Sequence, residues 1–170
     1  LLAPAGQSHS TVHSELLTSA ARRMAGRPTV AQRASSALEM LCTTHGAGAG
    51  HLFLVSPSGA VLAASHGGAT ASGELAERVA AYVSHHQELA AELDDMATGA
   101  QADVATHAQP SRPDDCSHQL LALRCIAEGE SVLVGVAALE RSEGQDIQPL
   151  AELLSFLALS LLESERSRHA

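Results

Sequence analysis

Ten histidines and three cysteines are the residues of this chain that could bind a metal ion. His85 and His86 are adjacent in a stretch of helical periodicity, so their side chains diverge by about 100° and cannot hold one ion together. The best grouping of both residue types is Cys116-x-His118, with His107 upstream. Because this spacing matches no standard zinc motif, we expect no metal site and no cofactor.

Residues of the types used in nucleophilic catalysis occur in this chain, but no motif brings them together. Such catalysis needs a serine or cysteine near a histidine that a carboxylate orients, and no nucleophile elbow is present. Glu74/Glu77 and Asp94/Asp95 fall on the surface of a predicted helix rather than across a cleft. The glycine-rich run 46–50 follows a predicted helix and precedes a strand, which favours a helix stop over a phosphate loop. We predict that the chain is not an enzyme.

Arg124 and Gly135 stand out from the apolar strands that contain them. Arg124 shares a predicted strand face with Leu120, Ala122 and Ile126, where it could anchor an anion or extend along the sheet edge. Gly135 interrupts an apolar strand, where glycine is costly unless another element approaches closely or the strand forms a bulge. We prefer the structural interpretation for both residues.

Composition excludes several classes of function. The net charge of −9 argues against nucleic acid and anionic membranes as partners. Aromatic residues make up 2% of the chain, so base-stacking platforms are nearly excluded, and the absence of lysine excludes a Schiff base. Cys42, Cys116 and Cys125 show no disulfide spacing, and Cys42 and Cys125 are interpreted as core thiols. With no signal-peptide or membrane-spanning pattern, we predict a cytoplasmic protein.

Hydrophobic periodicity predicts an alternation of helices and strands. Thr29 with Gln32 forms a capping box, Ser72 caps a long helix, and 56–59 has the composition of a type I turn. A short extra strand near 102–106 is an option within a loop-like segment. The predicted helices cover 10–25, 30–42, 73–96 and 146–163, and the predicted strands cover 51–55, 60–64, 119–127 and 132–139. Two antiparallel hairpins with flanking helices predict an α+β sandwich with a central antiparallel sheet.

The segment 150–162 is apolar on nearly every side. A helix of this kind must be covered by more than one layer, so it needs the sheet and a second helix, from this chain or from a copy of it. We therefore predict a homodimer formed by the helices 10–25, 30–42 and 150–162. The predicted interface residues are Leu16, Leu17, Met24, Leu150, Leu153, Leu154, Leu157 and Leu161.

Three passages are informative together: the glycine-ended helix leading into His51–Val55 and its hairpin, the strand Ser131–Glu140, and the leucine-rich helix Asp146–Glu163. Together they resemble a GAF domain, a sensing and dimerising module of signalling proteins. The resemblance covers roughly 28–167 and implies a sheet with a ligand pocket on one face and dimerising helices on the other. Residues 1–27 would be a tail and dimerisation helix, and 28–170 the GAF-like domain.

The resemblance implies a regulatory domain of a larger cytoplasmic signalling protein, with a second copy as partner and a small-molecule ligand of unknown identity. The chain departs from the family in its long helix 73–96 and in lacking the bilin-binding and cyclic-nucleotide signatures. A roadblock-type scaffold that binds a small GTPase or motor component is the alternative. It accounts better for the long helix and less well for the chain length.

Overall fold

The computed structural model of the protein describes residues 7–68, 70–95, 118–142 and 146–169. The option of a strand near 102–106, together with His107 and Cys116, lies outside these ranges. The described helices are α1 (Gln7–Ala25), α2 (Val30–His45), α3 (Gly73–Asp95) and α4 (Ala151–His169). The described strands are β1 (Gly50–Ser56), β2 (Gly59–His66), β3 (His118–Ala127) and β4 (Glu130–Glu140).

The four described strands form one antiparallel sheet in the order β2-β1-β4-β3. Each hairpin is closed by a two-residue turn. In the first, the Ser56 hydroxyl donates to the Gly59 carbonyl at 2.9 Å. In the second, Glu128 and Gly129 both have positive φ, as a tight two-residue hairpin requires. The predicted α+β sandwich with a central antiparallel sheet is confirmed.

Two β-bulges adjust the register of this sheet. The pairing of β1 with β2 shifts between Leu52 and Phe53, and that of β3 with β4 shifts between Leu123 and Arg124. Gly135 lies at the second shift, and a Cβ added there would meet the Phe53 carbonyl oxygen at 2.6 Å. The bulge that the sequence predicts at Gly135 is confirmed, and the close approach comes from the neighbouring strand β1.

Helices α1, α2 and α4 pack on one face of the sheet and share a single core. Arg33 joins these helices, because its guanidinium donates to the carbonyls of Arg27 and Ser160 at 2.9 Å each. Ala20 and Met24 of α1 belong to the same core. The division of the chain near residue 27 stays a prediction.

Helix α4 begins later than the sequence predicts. We expected a start near Asp146 with Pro149 in the first turn, but the helix begins at Ala151. The reason is a clamp from β3, in which the Gln119 side chain accepts from the Ile147 N–H and donates to the Ile147 carbonyl, both at 2.8 Å. This two-sided bond takes the Ile147 backbone groups away from a helix.

Helix α3 covers the opposite face of the sheet. It starts at its predicted cap, where the Leu75 N–H donates to the Ser72 hydroxyl at 3.1 Å. Its buried stripe is Leu75, Val79 and Val83, which cluster with Phe53, Val136 and Ala138 of the sheet. The capping box of α2 is also present, with Gln32 N–H to Thr29 Oγ1 at 3.2 Å.

Candidate functional site

A polar stripe lies beside the buried stripe of α3 and meets β3 at both of its ends. Arg78, Tyr82 and His86 are spaced four residues apart, so they share one side of the helix. Arg78 donates to the His118 carbonyl at 3.3 Å, and His86 contacts Arg124 at 3.0 Å. The helix and the strand therefore enclose ionisable side chains between them on the α3 face of the sheet.

Arg124 is the centre of the first group on this face. Its Nη2 donates to Nδ1 of His86 at 3.0 Å, and its Nη1 donates to the Ser131 hydroxyl at 3.4 Å. The rings of Tyr82 and His86 pack at a centroid distance of 4.3 Å and an angle of 53°. Arg124, Tyr82 and His86 are all half-buried, so the group is partly open to solvent.

This environment keeps His86 neutral. Burial lowers the pKa of His86, and the neighbouring charges of Arg124 and His85 lower it further. Because a guanidinium only donates, Nδ1 of His86 must accept, which leaves Nε2 carrying the proton. Burial raises the pKa of Tyr82, and Arg124 partly offsets that rise. The group thus presents a cation beside two neutral hydrogen-bonding rings.

A second group lies at the other end of the polar stripe. His51 is 1% exposed, and its Nδ1 lies 2.9 Å from the Ser65 hydroxyl. The rings of His51 and His118 have centroids 5.8 Å apart. Burial is the main cause that lowers the pKa of both histidines. The sequence alone gave no reason to select His51, since its burial depends on the pairing of β1 with β2.

These groups can recognise a partner through hydrogen bonds and charge. Cys42 and Cys125 are buried free thiols, as predicted, and burial raises the pKa of Cys42 to about 11, so it is not a nucleophile at neutral pH. Within the part of the chain that the structure describes, no three His, Cys, Asp or Glu side chains are arranged to hold a metal. No helix among those residues is long and apolar enough to cross a membrane.

Two solved structures match nearly the whole chain. The GAF domain of a protein assigned as a sensor histidine kinase from Pseudomonas syringae pv. tomato is 23% identical, with a TM-score of 0.56 over 96% of this chain and 94% of that one. The GAF domain of the Acinetobacter phosphoenolpyruvate-protein phosphotransferase is 13% identical, with a TM-score of 0.57 over 93% and 95% of the two chains. The chain has a GAF-like fold. No protein-family model and no curated protein matches its sequence.

The comparisons confirm the fold that the sequence resemblance implies. Both matching structures are GAF domains, which favours this prediction over the roadblock-type alternative. The alignments cover more than nine-tenths of this chain. At this level of identity the likeness concerns the fold, and the role of the GAF-like chain is a separate question.

The eight predicted interface residues, seven leucines and one methionine, divide into two sets within the GAF-like fold. Five of them are buried inside a single chain: Met24, Leu153, Leu154, Leu157 and Leu161. They pack in the core formed by α1, α2, α4 and the sheet. The second layer that the leucine-rich helix needs therefore comes from this chain, and the part of these five side chains in a homodimer stays a prediction.

The remaining three predicted interface residues lie at the surface. Leu16, Leu17 and Leu150 are half-buried, and together with Pro149 they line a groove of about 290 Å³ between α1 and the start of α4. Val12, one turn before Leu16, is 61% exposed. The structure thus brings the outer part of the predicted interface together as an apolar surface. This surface consists of the groove and of the exposed Val12, which lies outside the groove lining on the same side of α1, and we call it the α1–α4 groove.

Proposed function

We propose that this GAF-like chain is a regulatory module that binds a small molecule on its α3 face and pairs with a second copy through the α1–α4 groove. In this proposal the chain recognises and assembles but does not catalyse a reaction. It belongs to a larger cytoplasmic signalling protein, whose output would depend on the geometry of the pair. The single observation that carries the proposal is the separation of a polar face from an apolar one.

The α3 face supports ligand binding because its polar groups are concentrated between one helix and one edge strand. Arg124, His86 and Tyr82 form a group with mixed donors and apolar ring surface, next to the apolar side chains of the α3 core. Binding sites commonly combine a mostly apolar lining with a few convergent polar groups. The α1 and α4 helices lie on the opposite face, so binding and assembly need not compete for the same surface.

The apolar stripe of α1 supports pairing. Val12, Leu16, Ala20 and Met24 are spaced by four residues and share one side of the helix. Ala20 and Met24 are 0% and 2% exposed, whereas Val12 is 61% exposed and Leu16 is half-buried. The same stripe therefore runs beyond the surface that this chain covers. A second copy presents an identical stripe, which suits a two-fold symmetric contact.

The two matching structures support the regulatory context. One is a domain of a protein assigned as a sensor histidine kinase, and the other is a domain of a phosphotransferase. By analogy of fold, the present chain would transmit a signal to an attached output domain. A thermal-shift screen with metabolites tests the ligand part, because a bound ligand raises stability by RT ln(1 + [L]/Kd).

Val12→Glu tests the pairing. The substitution places a charge on a side chain that is 61% exposed in the single chain, so the fold should tolerate it. In the proposed dimer the same charge would be buried against apolar groups of the second copy. The free-energy cost of burying an unpaired charge is several times larger than that of losing a methyl contact. We expect the wild-type chain to sediment as a dimer and Val12→Glu as a monomer, measured by sedimentation velocity over a range of concentrations.

Ala21→Glu is the matched control for this experiment. Ala21 is exposed and lies about 180° around α1 from Val12, so it carries the same added charge on the other side of the helix. We expect Ala21→Glu to sediment like the wild-type chain. A wild-type chain that stays monomeric, or two glutamate variants that behave alike, would remove the α1–α4 groove from the proposal.

A further inference from the structure

The partners of the arginines show which of them has its charge compensated. Three described arginines pair with carboxylates: Arg23 with Glu39, Arg141 with Asp146, and Arg166 with Glu128. Two others, Arg33 and Arg78, donate to main-chain carbonyls. Arg124 contacts neither kind of group among the described residues. Its hydrogen-bond partners there are the His86 imidazole and the Ser131 hydroxyl, which are both neutral.

Among the described residues, no carboxylate forms an ion pair with the half-buried guanidinium of Arg124. Removing a charge from water is unfavourable unless an opposite charge or strong hydrogen bonds replace the lost solvation. Neutral partners fix the orientation of Arg124 but return little of that energy, and the Ser131 contact is long at 3.4 Å. A guanidinium has five N–H donors, and the two described bonds leave the others for a further acceptor.

We infer that Arg124, together with Tyr82 and His86, binds a compact oxyanion, either a carboxylate or a phosphate group of a small molecule. This inference rests on the ligand-binding role proposed above for the α3 face and specifies the chemical class of the ligand. Arg124 provides the charge and a planar fork that matches two oxygens. The bond to His86 Nδ1 orients the guanidinium, and the Tyr82 hydroxyl adds a neutral donor without a competing negative charge.

Because the protein carries a net negative charge, anion binding at this site would depend on the local arrangement of Arg124 and its neighbours. At −9 the chain repels anions in general, so any saturable anion binding must arise from a local cation rather than from a basic surface. The bond to His86 and the packing of Tyr82 on the His86 ring hold the α3 side of the group in place. Side chains that are held in place before binding need little rearrangement when the ligand binds, so the free-energy cost of ordering them is small.

Tyr82 offers a direct readout, because it is the single tyrosine of a chain without tryptophan. Intrinsic fluorescence of the unmodified protein therefore reports on this group alone. We expect inorganic phosphate or succinate, titrated at constant ionic strength with sodium chloride, to change the Tyr82 emission with a saturable dependence. Collisional quenching by the same anions would give a linear dependence instead.

Arg124→Gln should weaken this saturable binding at least about tenfold, since a charge-assisted hydrogen bond contributes about 1.5–3 kcal/mol. Arg124→Lys keeps the charge and loses the fork, so it should retain a weaker saturable response. Arg23→Gln removes the same charge from exposed α1 and should behave like wild type. Circular dichroism melting establishes that each variant is folded.

Two results would overturn the inference: a linear response of the wild-type chain to both anions, or equal saturation in wild type and Arg124→Gln. Failure here differs from failure of the proposed function. An uncharged metabolite that stabilises wild type and Arg124→Gln equally would remove the oxyanion site and leave the ligand-binding role standing. Dissociation by Val12→Glu is likewise independent of Arg124.

Discussion

At the scale of single residues, Gly135 shows how one missing side chain permits the register of the sheet. It pairs with Leu54 on one side and with Leu123 on the other, in the middle of β4. An added Cβ would lie 2.6 Å from the Phe53 carbonyl oxygen, which belongs to a strand and cannot move independently. The bulge beside it turns the following residues of β4 to the faces on which they pack.

Gly135→Ala should therefore destabilise the protein. Overpacking in a closed core costs about 1–3 kcal/mol, and here the clashing atom is backbone. Gly48→Ala is the matched control, because a Cβ at that position meets nothing within 4 Å. Urea unfolding should give a lower midpoint for Gly135→Ala and a midpoint close to wild type for Gly48→Ala. Equal midpoints for the two variants would contradict the role assigned to Gly135.

Sequence reasoning identified the residues whose surroundings are set by near neighbours in the chain. Gly135 and the thiols of Cys42 and Cys125 were predictable because the apolar pattern around each is local. For Arg124 the sequence left open an anion anchor or a sheet-edge position, since the choice depends on His86, which is 38 residues away. The pairing of His51 with Ser65 had no sequence signal, because the register of β1 and β2 creates it.

At the scale of elements, local capping signals were reliable and long-range contacts were not. The caps at Thr29 and Ser72 act within three residues, and both are present as predicted. The start of α4 was misplaced because Gln119, 28 residues earlier, binds both backbone groups of Ile147. A proline that would suit a first helical turn then lies just outside the helix. Side chains from another element decided this boundary.

The helices that cover α4 likewise could not be predicted from local sequence signals. The sequence required a second layer over the leucine-rich helix but left open whether this chain or a copy supplies it. The structure supplies it from α1 and α2, because the turn after Ala25 returns the chain so that Ala20 and Met24 reach the core. What extends beyond this layer is the N-terminal half of the α1 stripe, where pairing is now proposed.

At the scale of the whole molecule, four buried or half-buried histidines should couple stability to pH. Burial is the first cause that lowers the pKa of each: His45, His51, His86 and His118. In the unfolded chain a histidine titrates near about 6.5, so between the lowered folded pKa and that value the unfolded state binds more protons. The contribution of these histidines to the free energy of unfolding is therefore complete above about pH 6.5. It decreases as the pH falls below that value.

Urea unfolding at pH values between about 7.5 and 5.5 checks this dependence, in a range above the main titration of carboxylates. His51→Gln keeps a hydrogen-bonding group near Ser65 and removes a buried titrating ring, so it should flatten the pH dependence. His169→Gln alters an exposed residue at the end of α4 and serves as the control. A stability that is constant across the range, or that rises toward acid, would contradict the lowered pKa of these four side chains.

One chain closes its own helical layer, so the proposed pairing surface is separate from the core. The most direct measurement is urea unfolding of Val12→Glu at several protein concentrations. The account predicts one cooperative transition whose midpoint does not depend on concentration, while the wild-type midpoint rises with concentration as expected for a dimer. Loss of the cooperative transition in Val12→Glu would show that the chain cannot hold its core alone and would contradict the account.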